Sequence, residues 1–158
     1  MSKKKIHGYC DWGKPFTRTH SKPEMHTRNK SRIHQYKGNE TWRGVKIVRY
    51  KQSGNDWAYV IRQTLIGHRG ETTKFHLRYF EIAPSGYTSF EVHKHEHVVI
   101  GIQGNGICTV GKKKYSIGFL DILYIEPNVP HQLKNPFRKP FGFFCIVDAR
   151  RDKPKILS

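Results

Sequence analysis

No run of 18 consecutive apolar residues occurs in this chain, so no segment reads as a membrane-spanning helix. Cysteine is scarce: Cys10, Cys108 and Cys145 are odd in number, widely spaced and form no Cys-x-x-Cys pair. That argues against a disulfide framework and a thiolate zinc module, and suits reduced thiols in a cytoplasmic setting. The basic start MSKKKIHGYC has no apolar stretch behind it and does not read as a secretory signal. Walker-type and GxGxxG loops are missing, as are zinc-finger spacings and any sustained amphipathic helix. Hydrophobic residues make up only 36% of the 158, so part of the chain is expected to be solvated rather than packed.

Acidic residues are the other deficit. Twelve Asp and Glu stand against 29 Lys and Arg, for a formal charge of +17. Residues 1–51 hold 14 of those cations against Asp11, Glu24 and Glu40, a local excess of +11. A field of that sign attracts phosphorylated metabolites, nucleic acid or acidic lipid. Residues 1–40 show no sustained period and carry a few aromatics, Tyr9, Trp12, Phe16 and Tyr36. They read as a basic arm that docks on the rest of the chain or on a partner subunit. Within it, Arg32, His34, Tyr36 and Lys37 are suited to anions.

From Trp42 onward, short β-branched and aromatic runs recur: 44–50, 57–66, 74–82, 87–93, 97–103, 106–110, 121–126, 131–134 and 141–148. SGND at 53–56, APSG at 83–86, GNG at 104–106 and EPNVP at 126–130 separate them with turn chemistry, GNG reading as a hairpin. Such spacing predicts an all-β, antiparallel sandwich or barrel over residues 41–150, with 151–158 a peripheral tail.

The chemistry concentrates in GYTSFEVHKHEHVVIGIQGNG at 86–106 and EPNVPHQLKN at 126–135. Alternation along a strand puts Glu91 and His93 on one face. A turn near residues 94–96 lets His97 point back to the same place, and His131, starting a strand after a Pro-bounded turn, approaches from an opposing wall. Three imidazoles and a carboxylate suit Mn, Fe, Co, Ni or Zn and leave positions open for water or substrate.

These two segments resemble the paired motifs of the cupin family. Glu91, His93 and His97 match the first motif, H-x-H-x3-E, with its end ligand types exchanged, and Gly86 and Gly104 flank it. Pro127, Pro130, His131 and Asn135 match the second, whose internal glycine is absent here. The resemblance spans 86–135 by motif and about 42–148 by strand count. It implies an antiparallel jelly-roll barrel, one divalent transition metal held by Glu91, His93, His97 and His131, and a homodimer. Two other readings of the histidines stand beside it: His95 replaces His97, or the three decorate an exposed hairpin.

Further residues are placed by alternation alone. Gln103 shares the face of His97 and either touches substrate or bonds within the core. His76 and Arg78 share a face of their strand, and Arg78 is either a clamp for a carboxylate or phosphate or an edge charge. Tyr124 and Tyr87 stand near the mouth, Cys145 reads as a small core residue, and Asn135 as the brace of its turn. Two functions follow. One is a metal-dependent enzyme of oxygenase, isomerase or lyase type acting on a small polar or anionic metabolite. The other is a non-catalytic metal- or ligand-binding protein, in which the basic arm also offers nucleic acid binding. With no base-reading motif, DNA and RNA are not the favoured partners. Neither duplex nor single-stranded nucleic acid is expected to be retained at low salt. Binding that weakens with a log–log slope of about −0.9 per neutralised phosphate would establish the second function instead.

Overall fold

A computed structural model describes residues 31–157. The first thirty residues, including Tyr9, Trp12, Phe16 and Cys10 of the expected arm, lie outside the described residues. The described part of that arm is docked: Tyr36 bridges to Trp42, whose ring meets Tyr79 at 5.3 Å and Phe144 at 5.8 Å.

Among the described residues there is no helix, and eleven strands build one antiparallel jelly roll. They are β1 (Val48–Arg49), β2 (Ala58–Ile66), β3 (Phe75–Tyr87), β4 (Glu91–Val92), β5 (His97–Gln103), β6 (Gly106–Val110), β7 (Lys113–Ile117), β8 (Ile122–Ile125), β9 (His131–Lys134), β10 (Phe141–Asp148) and β11 (Lys155–Ile156). One wall runs β8-β5-β10-β3-β2-β1 and the other β11-β4-β9-β6-β7. The long β3 belongs to both, because its end pairs Tyr87 with Lys134 of β9.

Alternation decides what lies between the walls. On β10, Phe141, Phe143, Cys145 and Val147 are buried; on β5, His97, Val99 and Gly101 are. These meet Val60, Phe80, Ile82, Cys108, Ile117, Ile125 and Leu133 in a single core, with Phe80 stacked on Phe143 at 5.4 Å. Gly101 is forced, since a Cβ there would overlap the carbonyl oxygen of Gly118.

The strand pattern departs from the expected one in four places. GNG at 104–106 is no hairpin: β5 and β6 do not pair with each other, and the segment carries the chain from one wall to the other. APSG at 83–86 does not end its strand; β3 passes through it as a bulge, with Ser85 at φ 63°, between the pairings Val60↔Ile82 and Ala58↔Tyr87. β7 was hidden by its lysines, which face solvent in KKYSI. The 151–158 tail is stitched to the barrel, because β11 pairs Lys155 with Val92 and Ile156 with Glu91.

Two turn residues hold the second motif in shape. Asn128 takes φ 62°, the left-handed region that asparagine tolerates, and so stands in for the missing glycine. Its amide donates to the carbonyl of His93 at 2.8 Å, tying the two motifs together. Asn135 is fully buried: its amide nitrogen donates to the carbonyls of Ile82 and Lys139, and its oxygen accepts from the Phe137 amide. Asn135→Ala leaves these backbone groups unpaired and is expected to cost about 2–4 kcal/mol of stability, measured by denaturant unfolding.

Candidate metal centre

His93, His97 and His131 converge from three elements. His131 opens β9 on one wall, directly opposite Glu91 of β4. His97 opens β5 on the other wall, and His93 follows β4 in the connecting loop. All three side chains are buried, and one ligating atom of each lies within 4.8 Å of the others. His93 Nε2 and His97 Nε2 are 2.9 Å apart.

The far side of each ring decides what the near side offers. Nδ1–H of His93 donates to the carbonyl of His95 at 2.8 Å, and Nδ1–H of His131 to the carbonyl of Val129 at 2.9 Å. Both rings therefore turn an unprotonated Nε2 inward, which is how metal-ligating histidines are usually oriented. His97 has its Nδ1 at 3.3 Å from Cys145 Sγ, so a thiol takes the place of the carbonyl. Cys145 is thus more than filler: it also lies 3.4 Å from Arg78 Nη2.

Charge is kept out of this trio. Burial, then His95 and His131, lower the His93 pKa to about 4. Burial also holds His97 well below its ordinary value, and His131 is lowered for the same reason. Neutral imidazoles are the ligating form. The observed 2.9 Å separation also equals that of two nitrogens at right angles, each about 2.05 Å from one ion. Bare lone pairs at that distance would repel, so the pair requires a shared proton or a cation. By residue type, tautomer and spacing, the donor set fits a divalent transition metal.

Glu91 lines the same cavity but stands outside the three-histidine group. Its carboxylate accepts from Lys51 Nζ at 3.2 Å and from the Tyr50 hydroxyl at 3.5 Å, and Lys51 also donates to Ser89. Lys51 and Tyr50 precede Glu91 by some forty residues, and nothing in either motif pointed to them. Burial and the Glu91 charge push the Tyr50 pKa upward, so its hydroxyl stays protonated.

His95 is not interchangeable with His97. Its ring stacks on His93 at 3.6 Å and its Nδ1 pairs with Asp152 at 2.7 Å, forming a second group, His93, His95 and Asp152, on the outer side. Gln103 leaves the inner face: the bulge at Gly142–Phe143 shifts its register, and its Oε1 accepts from Tyr79, which is buried beneath Trp42 and Phe144 on the other side of the sheet. Tyr124 is exposed on the edge strand β8 and lines none of the inner cavity. Arg78 does line it, together with Tyr50, Glu91, His97, His131 and Cys145, around ≈ 50 Å³ of free space. His76 lies on the same face in a neighbouring, larger cavity.

The family described as the Cupin domain matches residues 78–147. The 1-methylthio-D-xylulose 5-phosphate methylsulfurylase of Rhodospirillum rubrum is 36% identical over 116 residues, covering 73% of each chain. Among solved structures, a cupin-2 domain protein from Rhodospirillum rubrum is 32% identical, with TM-score 0.70 over 80% of this chain and 84% of its own. A cupin 2 conserved barrel protein from Rhodopseudomonas palustris is 30% identical, with TM-score 0.74 over 80% and 87%.

The neutral trio links stability to pH. The fold disfavours the imidazolium forms, so below an ordinary histidine pKa of 6.5 the unfolded chain binds more protons than the folded one. Stability of metal-free protein is therefore expected to fall as pH drops from 6.5 towards about 4, where His93 itself protonates. His93→Gln should flatten that slope. Denaturation midpoints of both proteins at about pH 7 and about pH 5 check it; the same loss in each would contradict it.

Proposed function

This chain belongs to the cupin family, and on that premise we propose that it is a metal-dependent enzyme acting on a small phosphorylated carbonyl compound. His93, His97 and His131 would hold the ion, with Glu91 as the carboxylate that completes the set. The observation that carries the reading is the tautomer pattern: two inward Nε2 lone pairs fixed by Nδ1–H bonds to backbone carbonyls. The substrate class is supported by the methylsulfurylase, whose name specifies a ketose 5-phosphate, and by Arg78 at the cavity wall.

A bound divalent ion would act as a Lewis acid on a carbonyl oxygen. The protein's own groups do the remainder. Lys51 orients Glu91 at the cavity by a 3.2 Å ion pair, so that a carboxylate released from the ligand set would be the base for a proton next to such a carbonyl. Tyr50, kept protonated, spends its hydroxyl proton on Glu91 and so helps to fix that carboxylate at the cavity wall. Phe80, Val99, Leu133 and Phe143 line the floor and limit water. Isomerase and lyase chemistry both begin with proton removal beside a carbonyl, and this arrangement suits either.

Untagged protein is expected to carry about one divalent transition metal per chain by elemental analysis. His131→Ala and His97→Ala should abolish uptake, and Glu91→Gln should weaken it by about tenfold or more. Full metal content in His131→Ala would remove the proposal.

A further inference from the structure

The inner face of β2 and β3 does not end at the core. Along β3 the inward residues run Ile82, Phe80, Arg78, His76, and opposite them on β2 stand Val60, Arg62 and Thr64. The apolar half of each strand packs against Phe143. The other half lines a second cavity of ≈ 420 Å³. Five cationic side chains surround it, Lys46, Arg62, Arg69, Arg78 and Arg151, with His68 and His76 beside them and no carboxylate in the lining.

Such a cluster has no internal reason to exist. Burial first, and then the charge of Arg78, hold Arg62 and Arg151 below the ordinary arginine range. Nε of Arg62 and Nε of Arg78 are buried without a hydrogen-bond partner among the described residues. The acids whose charge reaches the cluster are committed elsewhere: Glu71 accepts from the Arg69 amide and pairs with Arg32, and Asp148 accepts from the Arg150 amide. Partly buried arginines facing one another, two of them with a buried, unspent Nε–H, suit an anion. His76 is part of the wall, since Arg151 donates to its Nδ1 at 3.0 Å and burial keeps its ring neutral.

Arg78 joins this basin to the metal centre. It lines both cavities and reaches Cys145 Sγ, which touches His97. Backbone register gives the span: His97 pairs with Val147 and Val147 with His76, so the two cavities lie about two strand spacings apart, roughly 10 Å. A five-carbon chain bridges such a gap between side chains that lean toward each other. The inner cavity's ≈ 50 Å³ cannot hold a whole sugar phosphate, and the basin supplies the missing volume.

We propose that the basin formed by Arg62, Arg78 and Arg151, with Lys46 and Arg69 at its rim, binds the phosphate monoester of the substrate whose carbonyl end lies at His93, His97 and His131. This rests on the function proposed above for the histidine site, and the two fail separately.

The test uses the full chain loaded with metal, titrated calorimetrically with inorganic phosphate and with ribulose 5-phosphate at low salt. Both are expected to bind at one site per chain. Arg62→Gln with Arg151→Gln should weaken each by about tenfold per arginine while metal content stays unchanged. His131→Ala should lose metal yet still bind inorganic phosphate. Should the double variant not fold, Arg62→Lys serves: it keeps the charge but loses the planar fork, and about tenfold weaker phosphate binding is expected. No phosphate binding by the wild-type chain would overturn the proposal, whatever its metal content. Unchanged affinity in the double variant or in Arg62→Lys would do the same. A single-stranded oligonucleotide that displaces ribulose 5-phosphate as effectively as inorganic phosphate does would also overturn it, since the basin would then be reading phosphodiesters. Loss of metal uptake in the wild type, with phosphate binding intact, would leave the basin standing and remove only the metal function.

Discussion

Two backbone carbonyls, those of His95 and Val129, determine what this barrel offers at its centre. Each accepts the Nδ1–H of a histidine two residues away, and each leaves that ring with a bare Nε2 facing inward. Desolvation then does the rest. The interior disfavours protonated imidazole, so the lone pairs of His93 and His131 stay available at neutral pH, beside a His97 whose Nε2 is 2.9 Å from that of His93. The loops supplying those carbonyls are themselves joined, through the Asn128 amide on the carbonyl of His93. Donor orientation is thus a property of backbone geometry, which tolerates substitution elsewhere in the barrel.

Strand periodicity made much of this legible in the sequence. The inward sets of β5 and β10 follow from alternation, whereas the meeting of His93, His97 and His131 is read from a turn near residues 94–96 and from the likeness of both segments to the cupin motifs. The losses have physical causes. A single bulge at Gly142–Phe143 turned Gln103 outward, which no period-two pattern anticipates. Lysines on an exposed face concealed β7. Glu91 reads from the sequence as a fourth ligand, whereas its engagement with Lys51 and Tyr50 depends on pairing across some forty residues of chain. The arginine basin was harder still: Arg62, Arg78 and Arg151 come from three distant segments, and only the sheet order makes them neighbours.

Charge is distributed inside the barrel as sharply as along the chain. The metal-side cavity holds neutral imidazoles and a single acid tied to Lys51, with Arg78 at the wall it shares with the adjoining cavity, where five cations and no carboxylate form the lining. Low polarizability between walls strengthens both fields, so a ligand with a neutral and an anionic end has only one favourable orientation. Cys145 sits at the junction, in contact with His97 on one side and Arg78 on the other, with burial holding its thiol protonated.

The carboxy-terminal segment has a consequence of its own. Arg151 and Asp152 are adjacent, yet one serves the cationic cavity through His76 and the other braces His95 behind the histidine site. Their assignments depend on the pairing of Lys155 with Val92 and Ile156 with Glu91. Slippage by one residue would carry a cation towards His95 and an anion towards the arginines, spoiling both ends together. Two short pairings thereby act as a vernier: an exposed two-residue strand, laid against the backbone of Glu91, keeps the two halves of the cavity in phase with each other.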